Sequence, residues 1–158
     1  MHPTTLAISF TALLLLAAAP NPPAPKPAMA PTPAAASAKE PEHITIQHVL
    51  IGFTGSVPGK NITRTQDEAK KLAEEILARA KKGEDFDGLV KKYTDDSPPG
   101  IYAMANNGVA PAAGEYARNR MVPAFGDAGF PLQVGEFGMA SYDKAKSPFG
   151  WHIVKRLK

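Results

Sequence analysis

An α+β fold follows from three features of the sequence. Residues 43–51, HITIQHVLI, alternate in the manner of a strand. Residues 63–83 carry the start, the apolar stripe and the stop of an amphipathic helix. Two further strand patterns close the chain, at 137–142 and 151–157. Strands at both ends of the folded part, with helices between them, must be brought together in one sheet, the mark of a mixed α+β domain.

The chain has 158 residues. Leu6 to Ala19, LAISFTALLLLAAA, is an almost unbroken apolar run ending in small residues. It has the length of a signal-peptide core and falls short of the ~20 residues that span a bilayer. Residues 1–19 are therefore expected to direct export, to the periplasm and cell envelope or out of the cell. Cleavage would free the protein, and retention would leave an N-terminal membrane tether. From Pro20 to Pro41 the chain holds eight of its sixteen prolines, with alanine filling most of the rest. Proline withholds backbone donors and favours extended conformations, so 20–41 is expected to be a solvated, semi-stiff linker and 42–158 the folded domain.

In the first strand, Ile44, Ile46, His48 and Leu50 share one face; Thr45, Gln47, Val49 and Ile51 share the other. A loop with three glycines follows. Thr65 and Glu68 then form a capping box, and Ala69, Leu72, Ala73, Ile76 and Ala80 repeat at helical spacing until Gly83. A shorter helix lies in EDFDGLVKKY, with Phe86, Leu89, Val90 and Tyr93 on its buried side. Residues 94–120 are rich in Gly, Pro, Asn and Asp and read as loop, with one short strand around Glu115–Ala117. MVPAFGDAGF suits a short helix with Pro123 in its first turn. FGMASY and WHIVKRL are the closing strands.

Composition narrows the function. The chain has no cysteine, which excludes disulfides, thiolate metal sites and a cysteine nucleophile. The net charge of +3 comes from basic residues mixed with acidic ones, unlike the concentrated basic stripe of a nucleic-acid binder, so no nucleic-acid partner is expected. His43, His48 and His152 lack a helical ligand motif, and no serine sits in G-x-S-x-G. A metalloenzyme or a serine hydrolase is a poor reading.

Five stretches, taken in order, give the chain a recognisable pattern: QHVLI, ITRTQDEA, KKGEDFDGLVKKYTDD, MVPAFGDAGFPLQVGEFG and SPFGWHIVKR. In these it resembles the parvulin-type peptidyl-prolyl cis–trans isomerases over residues 43–158. The resemblance implies an FKBP-like fold, a four-stranded antiparallel sheet wrapped by about four helices. It also implies an isomerase of X–Pro bonds that acts, most simply as a monomer, on proline-containing unfolded or extended polypeptides. Such an enzyme assists protein folding and needs no nucleophile, metal or cofactor, because rotation breaks no covalent bond. The rival reading is a binding module of the same fold, a chaperone that holds extended chains without catalysis.

The resemblance also implies a site. Met121 and Phe125 fall in the proline slot, and Phe149 lines its wall. His48 and His152 match the paired histidines of the family's active-site floor. Asp96 matches a position that is cysteine in many eukaryotic members and aspartate in many bacterial ones. A carboxylate there implies a noncovalent, electrostatic role, and with the two histidines it makes the implied catalytic set. Ser147 stands where a threonine near the pocket is usual and is expected to offer a hydrogen bond. A leucine that usually lines the pocket is matched by Ala113, and IYAMANNGV (101–109) reads as an added or altered loop. Phosphate-directed members carry a basic cluster in the loop after the first strand. This loop has only Lys60 and Arg64, neither where that cluster would fall, so no preference for phosphoserine before proline is expected.

Overall fold

The computed structural model describes residues 39–158. The expected signal segment 1–19, and all of the expected linker but Lys39 to Pro41, lie outside the described residues. The elements are β1 (His43–Ile51), α1 (Gln66–Lys81), α2 (Phe86–Tyr93), β2 (Ile101–Ala105), β3 (Tyr116–Ala117), a single 3-10 turn (Arg118–Arg120), α3 (Pro123–Gly129), β4 (Phe137–Ala140) and β5 (Trp151–Arg156). Among the described residues no helix is long and apolar enough to cross a membrane.

The strands form one sheet in the order β3-β2-β1-β5-β4. β1 is central and antiparallel to both β2 and β5, and β4 is antiparallel to β5. The α+β class is as expected. The sheet has five strands and is mixed, because the two-residue β3 runs parallel to β2; three helices and the 3-10 turn stand where about four helices were expected. The larger correction concerns residues 101–105. They form β2, paired along β1 from His43↔Ala105 to Gln47↔Ile101, where loop was expected. Five apolar residues bounded by the SPPG turn and by NNG are a strand signal that polar neighbours on both sides obscured.

Each face of β1 builds a different core, as its alternation requires. Val49 and Ile51 join Trp151 and Ile153 beneath α1 and α2, which contribute Ala69, Ala73, Ile76, Phe86 and Leu89. Ile44 and Ile46 join Met104, Val154, Phe125 and Phe130 on the α3 side. Helix α1 begins at its capping box: the Thr65 hydroxyl accepts the Glu68 N–H, and the Glu68 carboxylate accepts the Thr65 N–H. Polar contacts of the folded part begin before Glu42. Arg118 pairs with Glu40 at 2.6 Å, and Asn106 Nδ2 donates to the Pro41 carbonyl at 3.0 Å.

Candidate active site

On the α3 face of the sheet His48 and His152 sit on adjacent strands, displaced by two residues in register (His48↔Val154, Leu50↔His152). Both side chains are buried. Their rings are nearly parallel, 17° apart, with Nδ1 to Nδ1 at 3.1 Å. The other nitrogen of His48, Nε2, faces Asp96 Oδ2 at 3.1 Å. The same Asp96 oxygen accepts the Tyr102 hydroxyl at 3.0 Å. A chain of four side chains therefore runs from the buried floor at His152 through His48 and the half-exposed carboxylate of Asp96 to Tyr102.

The charge states follow from surroundings. The hydrogen bond from His48 holds the Asp96 carboxyl far below the usual carboxylate range, outweighing its partial burial. The ionised oxygen requires a proton on His48 Nε2, which donates to it. Burial, aided by its neighbour His48, pushes His152 down to about 3, so its imidazole is neutral. One proton can lie between the facing Nδ1 atoms, and a second would place two N–H groups head to head. His152 Nε2 is buried without a hydrogen-bond partner, which also favours the uncharged ring. Burial and the adjacent Asp96 charge push the Tyr102 phenol up to about 12, so it remains a donor.

Above this floor opens a pocket of about 250 Å³. Met121, Phe125, Phe149 and Tyr102 line it together with Val57 and Pro58, and Asp96, His48 and His152 form its polar part. Phe125 meets His48 edge-on at 4.9 Å between centroids, and His152 at 5.3 Å. An apolar aromatic slot thus lies directly on the histidine pair. Phe125 projects from α3, whereas Met121 precedes that helix as an extended residue between the 3-10 turn and Val122. The two converge on the pocket through the turn, and not through a shared helical face.

Of the residues singled out in the sequence, His48, Asp96, His152, Met121, Phe125 and Phe149 are brought together. Ser147 is not part of the wall. It is fully buried, and its hydroxyl donates to the Gly150 carbonyl at 2.8 Å, so it shapes the turn into β5. Ala113 is exposed and is not among the lining residues; Tyr102 fills the wall beside Asp96. Tyr102 was missed with its strand. Val57 and Pro58 were missed because a glycine-rich loop gives no periodicity to orient them.

Two glycines make the floor possible. Gly100 takes a φ of +65°, and a Cβ there would lie 2.6 Å from the His48 carbonyl and 3.1 Å from its ring. Its carbonyl accepts the His48 N–H at 2.9 Å. Gly150, at φ +138°, would place a Cβ 2.1 Å from the Ile51 carbonyl. The loop over the pocket is latched by Ser56, whose hydroxyl donates to the Phe149 carbonyl at 2.9 Å and accepts the Phe53 N–H at 2.8 Å. Among the described residues no group of three or more His, Asp or Glu side chains is placed to hold a metal.

Comparison with known proteins gives one family. The PPIC-type PPIASE domain matches residues 34–158. No curated protein matches the chain in sequence. Among solved structures, the solution structure of TbPIN1 superposes with a TM-score of 0.56 at 23% identity, covering 74% of this chain and 98% of that one. Peptidyl-prolyl isomerase ESS1 from Candida albicans gives 0.58 at 25% identity over 74% of this chain and 63% of its own length.

Proposed function

The chain belongs to the PPIC-type peptidyl-prolyl isomerase family, and we propose that its pocket rotates X–Pro bonds noncovalently in exported polypeptides, without selecting a phosphorylated residue before the proline. It is a peptidyl-prolyl cis–trans isomerase, and its substrates are proline-containing polypeptides. The observation that carries the proposed mechanism is the ionised Asp96 held at the edge of an apolar aromatic slot by a buried histidine pair.

The reaction must cross the amide resonance barrier of roughly 18–20 kcal/mol. Resonance places negative charge on the carbonyl oxygen, and twisting the bond removes it. A fixed carboxylate facing that oxygen raises the energy of the planar amide more than that of the twisted one, and only such a difference accelerates rotation. Seating the pyrrolidine ring against Phe125 and Met121 excludes water and strengthens the effect. In this reading Asp96 is the catalytic residue. His48 and His152 position it: His48 fixes its orientation and ionisation, and neutral His152 supplies His48 with a rigid partner at no cost in buried charge.

The polar inventory at the pocket supports indifference to phosphate. Val57 and Pro58 line the loop side of the mouth. Arg64 is occupied elsewhere, donating to the Gly52 carbonyl at 3.0 Å and pairing with Asp95. For a Ser-Pro peptide and its phosphoserine counterpart, the full chain is expected to give kcat/KM values within about threefold of each other. A tenfold preference for the phosphopeptide, equivalent to about 1.4 kcal/mol, would overturn the point. Export rests on the apolar run at 6–19 and the proline-rich tract after it. Expressed in a bacterial host, the chain should appear outside the cytoplasm; retention in the cytoplasmic fraction contradicts export.

A further inference from the structure

We infer that Tyr116 is a specificity residue, forming an outer subsite that receives an apolar or aromatic side chain next to the isomerised proline. This rests on the isomerase reading of the pocket. Three large apolar side chains stand exposed among the described residues, Ile101, Tyr116 and Val134, with Tyr116 at 51%. Tyr116 is the one whose ring meets an aromatic of the pocket. It lies 6.0 Å from Tyr102, which lies 5.7 Å from Phe125. The aromatic surface thus runs from the slot at Phe125, over Tyr102 beside Asp96, and out into solvent at Tyr116.

The backbone holds Tyr116 there. Pairing with Met104 puts it at the edge of the sheet on the pocket side. On one flank, the mostly buried Glu115 carboxylate accepts the Ala112 N–H at 2.9 Å and pairs with His43 at 2.8 Å. On the other, Arg118 is fixed by Asp127, Glu40 and Asn106, with its guanidinium 4.6 Å from the Phe130 ring. A ring left half in water on so anchored a support is preorganised for contact, since little freedom remains to be lost on binding. Tyrosine suits such a surface because its body is apolar and its tip is wetted. An extended polypeptide whose proline fills the slot presents its neighbouring side chains at the rim, where this ring stands.

The test compares isomerisation by the full chain of Ala-flanked proline peptides with that of peptides carrying Phe before or after the proline. Tyr116→Ala is expected to lower the Phe-to-Ala ratio of kcat/KM by about three- to tenfold for one of the two Phe positions, the size of one aromatic contact. The change should lie in KM, and Tyr116→Phe should restore it. An unchanged ratio at both positions, or equal losses on every peptide, would overturn the subsite while leaving the isomerase reading standing. No isomerisation of any peptide by the unmodified chain would overturn that reading and this inference with it.

Discussion

Asp96 and His152 reach fixed charge states by opposite routes. Asp96 stays ionised because His48 donates to it, and His152 stays neutral because it is buried. Both shifts are downward, and both make acid unfavourable for the fold. For His152 the ordinary value is 6.5 and the folded value about 3. Between these the unfolded chain binds a proton that the folded chain refuses, so stability falls as pH drops from 6.5 toward 3 and is flat above. By pH 4 the loss is expected to reach on the order of 3 kcal/mol. Asp96 adds to it below the ordinary carboxylate range. Thermal unfolding from pH 7 to pH 4 should show a steep decline that His152→Phe flattens; an equally steep curve in the variant would mean that His152 is not the buried neutral group. The polar floor was legible from two histidines on strands at opposite ends of the domain. Which hydroxyl completed it was not, since Tyr102 lay in a segment read as loop.

Among the elements, β2 departs most from what its sequence suggests. Its pattern IYAMA is short and lies between turn-forming runs, so composition over a wider window reads loop. Pairing with the central β1 overrides that reading, because β1 would otherwise expose its backbone groups on one side. Gly100 is the hinge of this arrangement. With its positive φ and a Cβ that would meet the His48 carbonyl before the ring, Gly100→Ala must shift the backbone of β2 or of β1 at His48. The variant is expected to lose ~1–3 kcal/mol of stability and to lose activity beyond what its melting temperature explains. Wild-type activity in a folded Gly100→Ala protein would show that His48 needs no such support. By contrast α1 was legible in full. Its capping box, alanine stripe and terminal glycine are local signals, and the structure places Thr65, Ala69, Ala73, Ile76 and Ala80 as the spacing requires. Ser147 shows the reverse, a position whose match to a pocket residue did not carry the role, because its hydroxyl closes a turn onto Gly150.

The domain joins two cores across one sheet. One stabilises the helices α1 and α2, and the other ends in the pocket. Residues from both ends of the folded part meet at that pocket, so the site exists only when β1 and β5 pair. We attribute the acceleration of rotation about the X–Pro bond to the Asp96 charge, set by this arrangement. Asp96→Asn isolates that charge, since an amide oxygen can still accept from His48 and Tyr102 while the charge is gone. Measured on an unphosphorylated proline peptide with the full chain, kcat/KM should fall on the order of 10- to 100-fold, ~1.4–2.7 kcal/mol, beyond what the lower melting temperature of the variant explains, because the stability the ionised carboxyl gains from His48 goes with the charge. Unchanged kcat/KM in the folded variant would show that the Asp96 charge does not drive rotation.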